Sequence, residues 1–187
     1  MGSMLRTVVA SALLAGVGLS PALSAGQKGI IEGCYVPMGG FAETASYSPS
    51  DQLGQYRVVL MRKDSHRQKG PHRMLRRVVI QGPLRGVITD PGSLILKHVL
   101  GTEERDGFIY TANDTFEIEA AVPCDGTVGQ VFEGRETINP VAGTGRFAGL
   151  RPGGSLVVTG TVNTCTGLND FEVVPGEGEI CFDAPED

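Results

Sequence analysis

The run from Gly143 to Val162 constrains the fold of this chain more than any other stretch. Gly143-Thr144-Gly145-Arg146-Phe147-Ala148-Gly149 is followed by a turn at Pro152-Gly153-Gly154 and then by Ser155-Leu156-Val157-Val158-Thr159-Gly160-Thr161-Val162. Glycine reaches backbone angles and close approaches that a Cβ would block, so this density suits a tight bend that delivers the chain into a strand. Elsewhere, short runs rich in Val, Ile, Thr and Phe alternate with Gly, Pro, Asn and Asp clusters, and helical periodicity is almost absent, as in a sandwich or barrel. The expected strands span roughly 29–36, 55–63, 73–81, 85–89, 94–103, 108–121, 128–138, 155–164 and 171–182, the last broken at Pro175-Gly176. Residues 37–54 read as a long loop and 64–72 as a charged hairpin tip. With no internal repeat and no second composition regime, the pattern predicts one all-β domain. Its expected form is a closed antiparallel β-barrel of approximately eight strands with long loops, because closure removes exposed sheet edges.

The Gly-Thr-Gly-basic-Phe-x-Gly turn at 143–149, leading into a Gly/Thr/Val-rich strand near the C-terminus, resembles the allene oxide cyclase and dirigent protein superfamily. The resemblance implies an eight-stranded antiparallel barrel, here of a bacterial, exported type. It also implies a cyclase or isomerase that confines a flexible substrate without a cofactor, and it leaves dimers and trimers open to the chain. The family's catalytic positions do not align with this sequence, so the resemblance carries over no catalytic residue.

Arg6, the apolar run Val8 to Leu19 and the small-residue end Ser20-Pro21-Ala22-Leu23-Ser24-Ala25 predict a secretory signal peptide over 1–25, with Met1-Gly2-Ser3 a tag remnant or a native start. The apolar run is too short to favour a spanning helix. Cleavage after Ala25 leaves a single domain at 26–187 that is secreted or periplasmic. Its four cysteines are an even number, which favours two disulfides in an exported chain. Three pairings are open. A meander that closes on itself favours Cys34 with Cys181, in the first and last strands, and Cys124 with Cys165, at one rim. No CxxC spacing occurs and the three histidines lie apart from the cysteines, so no metal site is expected.

Charge is uneven: residues 57–98 carry a net +8 and residues 103–187 a net −12. Strands of opposite charge lying side by side account for this as readily as a basic patch for an anionic envelope component. The acidic balance, the export signal and the lack of aromatic-interleaved basic motifs argue against nucleic acid. Asn113-Asp114-Thr115 fits a glycosylation sequon, relevant only where the secretory route glycosylates.

The clearest chemistry lies around Arg105-Asp106-Gly107. A three-residue loop there, with Gly107 left-handed, sets Thr102 opposite Tyr110, Leu100 opposite Ala112, His98 opposite Asp114, Leu96 opposite Phe116 and Leu94 opposite Ile118. That register makes one face apolar, which a two-residue loop does not. It turns His98, Asp114 and Tyr110 inward, and the alternation extended to 128–138 places Val128, Phe132 and Ile138 inside and brings Gln130 and Glu136 inward too. His98, Asp114, Tyr110 and Glu136 are therefore the candidate catalytic residues, and Leu96, Leu100, Phe116 and Phe132 the candidate ligand-binding ones. A buried His–Asp pair can equally be a self-satisfied core element. His66 and His72 read as surface residues. Nucleophile elbow, HExxH and phosphate-cradling motifs are missing, and Gly143-Thr144-Gly145 precedes a strand, so no cofactor is expected. Three functions fit: interior binding of a small lipophilic molecule, cyclase or isomerase chemistry as the resemblance implies, or a cell-envelope interaction module.

Overall fold

The computed structural model describes residues 31–63, 77–126 and 128–184. In them the chain forms β1 (Gly33–Ser46), β2 (Asp51–Arg62), β3 (Arg77–Asp90), β4 (Ile95–Gly101), β5 (Phe108–Thr111), β6 (Asp114–Pro123), β7 (Gln130–Ile138), β8 (Pro140–Gly143), β9 (Ser155–Asn163) and β10 (Leu168–Phe182), with one 3-10 turn at Gly145–Phe147. All pair antiparallel in a single sheet, ordered β3-β2-β1-β10-β9-β7-β6-β4-β5-β8, and a further β3–β4 pairing joins eight of the strands into a ring. β5 and β6 are one strand interrupted at Ala112-Asn113, as β7 and β8 are at Asn139. Each pairing in the ring therefore joins strands consecutive along the chain, except β1 with β10, which joins the first to the last.

Period-two alternation fills the inside of the ring. Tyr56, Val58 and Leu60 of β2, Val78, Ile80 and Leu84 of β3, and Phe171, Val173, Ile180 and Phe182 of β10 are all buried in one core. Each large apolar side chain so buried contributes about 1.5–3 kcal/mol. The expected disulfides Cys34–Cys181 and Cys124–Cys165 are both formed. The first links directly paired positions of β1 and β10, across the pairing that closes the ring. The second ties the end of β6 to the β9–β10 turn at the opposite rim.

Two sequence expectations are corrected. Residues 37–54 are not a long loop: β1 runs through them to Ser46 and β2 begins at Asp51. The Pro37–Gly40 segment is a bulge, with φ of 136° and 147° at Gly39 and Gly40 and a shift of register on both flanks. A Cβ on Gly40 would stand 2.0 Å from the Arg57 carbonyl oxygen, so glycine permits close strand packing here instead of ending the strand. Likewise the strands expected at 73–81 and 85–89 are one, β3, which passes through Gly82 and Pro83 without a break. The signal peptide, the hairpin tip at 64–72, His66 and His72 lie outside the described residues.

The glycine-rich turn seals the end of the ring where Cys34 and Cys181 lie. Gly145 has φ 58°, and a Cβ there would stand 2.0 Å from the Asp106 carbonyl oxygen. The Arg146 N–H donates to that oxygen (3.1 Å) and the Thr144 N–H to Phe108 O (2.9 Å), so the turn is stitched to the β4–β5 loop. Phe147, fully buried, packs its ring 6.2 Å from that of Phe182. Some of the opposite charges meet: Arg85 pairs with Asp51 at 3.2 Å, and Lys63 and Arg135 reach Glu179 and Glu177 of β10. Among the described residues no helix is long and apolar enough to cross a membrane.

Candidate functional site

The β4–β5 hairpin differs from the expected one. Gly101 pairs with Phe108, Leu100 with Ile109 and Val99 with Tyr110, leaving residues 102–107 as the loop. Side chains decide this: the Thr102 hydroxyl donates to Asp106 Oδ1 (2.7 Å) and accepts the Asp106 N–H (3.0 Å). Gly107, expected to serve the turn, instead lets the Thr144 carbonyl approach to 2.5 Å from where its Cβ would be. Tyr110 therefore faces outward, 38% exposed beside Phe108, and is not part of an interior cluster. Ile109 and Thr111 are buried in its place.

A bulge then restores the expected phase. Asn113 takes φ 56°, the chain gains a residue, and Asp114 and Phe116 turn back inward. His98 and Asp114 meet after all, although Asp114's register partner is Leu96. His98 Nδ1 lies 2.7 Å from Asp114 Oδ2. The Thr111 hydroxyl donates to the same carboxylate oxygen, and the Asn139 N–H donates to Oδ1 at 2.7 Å. With these donors converging on an acceptor-only group, Nδ1 carries the proton and Nε2 faces the other way. It faces Glu136, whose Oε1 stands 3.7 Å off. All three residues are buried, Asp114 completely.

Their electrostatics differ. Burial disfavours a charged imidazole at His98, yet the hydrogen bond to Asp114 and the charges of Glu136 and Asp114 together outweigh it, and His98 is more basic than usual. Burial pushes the Glu136 carboxyl up to about 7, opposed by His98 and reinforced by Asp114. Asp114 is satisfied on both oxygens, whereas Glu136 Oε1 is buried with no hydrogen-bond partner. An orphaned buried carboxyl oxygen is costly, and native proteins keep few of them.

Glu136 lines a cavity of about 180 Å³. Leu96, Phe116, Phe132, Val162 and Phe171 form its apolar walls, while Ser48, Asp51, Gln52, Thr164 and Asn169 line its outer part at the β1–β2 and β9–β10 turns. Three of the four expected lining residues are therefore in place. Leu100 is the exception: it is buried in the core but does not line the cavity. Ile118, expected inside, lies at the cavity edge and is 46% exposed, and Val128 and Gln130, expected inside by the same alternation, are exposed around the start of β7.

His98, Asp114 and Glu136 offer donor atoms within 4.8 Å of one another. Nδ1 of His98 and both oxygens of Asp114 are engaged with each other, with Thr111 or with Asn139, which leaves Nε2 and the Glu136 carboxyl facing one point. A zinc site ordinarily draws three or four protein ligands, so the cluster is built to hold and pass protons more readily than to hold a metal. Sequence reading missed Thr111, Asn139 and Asn169. Thr111 and Asn139 flank the two strand interruptions, which alternation alone does not reveal. The Asn169 amide donates to Thr44 Oγ1 (3.0 Å) and Gln52 Oε1 (3.1 Å), holding β1, β2 and β10 together beside the cavity. No family model, curated protein or solved structure matches this chain.

Proposed function

We propose that this chain is an exported protein whose strand ring is a closed β-barrel that binds a small lipophilic molecule in its interior. One observation carries the reading: an apolar cavity that ends on a buried carboxyl with an unpartnered oxygen. Apolar walls with a few placed polar groups are the usual make-up of a ligand site. A cavity of roughly 150 Å³ lined by aliphatic and aromatic residues holds benzene, so about 180 Å³ suits a ligand of six to ten non-hydrogen atoms, one of them polar. Two disulfides suit an oxidising compartment. The cyclase or isomerase alternative uses the same cavity and requires Glu136 to touch the ligand. The envelope-module alternative loses part of its basic surface, because Lys63 and Arg85 of 57–98 are engaged with Glu179 and Asp51.

The test is a ligand panel of monocyclic phenols, cyclic ketones and short fatty acids, followed by thermal shift and by NMR shifts of Phe116, Phe132 and Phe171. Binders should raise the melting temperature and move those rings, and Val162→Phe, which fills the cavity, should abolish both effects. A flat response across the panel would sink the reading.

A further inference from the structure

We infer that Glu136 is a catalytic base that carries a proton between two carbons of a small cyclic ketone bound in the cavity. The inference rests on the binding reading above and assigns it a reaction: the 1,3-allylic shift of a β,γ-unsaturated ketone to its conjugated isomer. The cavity selects the substrate class by size and polarity, since a six-membered ring with one carbonyl fills about 180 Å³ of apolar space. Its inner end presents one reactive group, a carboxyl with no hydrogen bond to hold Oε1 back. Its outer end is lined by Gln52, Thr164, Asn169 and the Asp51 carboxylate; the Thr164 hydroxyl and the Asn169 amide already donate to Gln130 and Thr44, which leaves the Gln52 amide N–H as the group toward which a ketone oxygen can be directed.

The step balances without a co-reactant. The Glu136 carboxylate takes the proton from the α-carbon, and the C–H electron pair moves into an enolate whose charge rests on the ketone oxygen. The resulting carboxylic acid then returns the proton to the γ-carbon, the double bond moves into conjugation, and the carboxylate is regenerated. A base that must both take and return a proton works best when it is poised close to the operating pH. Glu136 is so poised by its apolar surroundings. The groups that face it are His98 from β4 and Asp114 from β6, while its register partners Phe116 and Val158 are apolar. His98 does not line the cavity. It is a positioning residue: held by Asp114, it sets how readily Glu136 ionises.

The experiment uses cyclohex-3-enone as substrate and cyclohexanone as a non-reacting ligand. Conjugation is followed by ultraviolet absorbance, solvent deuterium uptake by NMR, and cyclohexanone binding independently by saturation-transfer NMR. The wild-type protein should accelerate conjugation with little solvent deuterium at the γ-carbon, because the proton taken from the α-carbon is the one returned, and Glu136→Gln should lower kcat about 100-fold or more, the range of general acid–base catalysis. The rate should rise with pH through about 7 as Glu136 ionises. In His98→Gln that rise should move to higher pH, because the imidazole's charge no longer favours the carboxylate; an unmoved profile would remove His98 from the assignment. Binding of cyclohexanone without acceleration would overturn the catalytic inference and leave the binding reading standing. No binding of either ketone would overturn both, and full activity in Glu136→Gln would overturn the role of Glu136.

Discussion

Replacing Glu136 with glutamine should make the protein more stable at alkaline pH and flatten its stability profile. In the folded chain the Glu136 carboxyl is pushed up to about 7 from an ordinary 4.5. Below 4.5 both the folded and unfolded states hold the proton, and the group has no effect on stability. Between 4.5 and 7 the unfolded state ionises while the folded state keeps its proton, so stability falls as pH rises; above 7 the loss is constant. At 1.36 kcal/mol per pH unit, the loss is about 1 kcal/mol at pH 5 and about 3 kcal/mol at pH 8. His98 acts in the same direction, because a raised imidazole stabilises the fold below its unfolded value and ceases to do so as pH rises through its folded value. Removing the Glu136 charge also weakens this second contribution, so both changes flatten the profile. Urea unfolding without reductant at pH 5, 6, 7 and 8 measures the effect. The wild-type protein should lose at least about 2 kcal/mol relative to Glu136→Gln between pH 5 and 8. Parallel profiles for the two proteins would refute the claim that Glu136 is buried in an apolar site.

Asp114→Asn should cost about 3 kcal/mol and leave His98 less basic, since three donors converge on a fully buried carboxylate; urea unfolding and the His98 ring titration by NMR read the two effects. Phe147→Ala should cost about 3–5 kcal/mol, because the ring is fully buried at the sealed end of the ring of strands, and a loss under 1 kcal/mol by urea unfolding would contradict that packing. Gly145→Ala should cost about 1–3 kcal/mol through its left-handed backbone and the Asp106 carbonyl 2.0 Å away, again read by urea unfolding. Removing Cys34–Cys181, which spans 147 residues, should cost up to about 5 kcal/mol in the chain-entropy account, against about 4 for Cys124–Cys165, which spans 41. Midpoints of the two double-alanine variants in the reversed order would contradict that reasoning.

Much of this fold is legible in the sequence because the ring is a simple meander. Alternating apolar residues name the inner face, consecutive strands pair, and closure brings Cys34 of the first strand beside Cys181 of the last. What was not legible arises at irregularities. Gly39 and Gly40 look like loop punctuation and instead form a bulge inside β1, and Gly82-Pro83 sits within β3. The site shows the same division. His98, Asp114 and Glu136 were brought together by alternation, even though the assumed hairpin register was wrong. Two departures offset each other: the Thr102–Asp106 hydrogen bonds lengthen the loop, and the Asn113 bulge resets the phase, so that Asp114 and then Phe116 return inside. Tyr110 lies between the two departures and so faces outward. Leu100, correctly placed inside, sits too far along β4 to reach the cavity. The orphaned oxygen of Glu136 is a three-dimensional property, set by what does not reach it, and no residue pattern announces it.

Titrating the Glu136 side-chain carboxyl by carbon-13 NMR, with and without cyclohexanone, tests the central claim most directly. The account predicts a midpoint near 7 in the free protein. It predicts a higher midpoint with the ketone bound, because the apolar ring displaces water from beside the carboxyl and deepens the burial that disfavours its charge. A midpoint near 4.5 that the ketone leaves unmoved would contradict it.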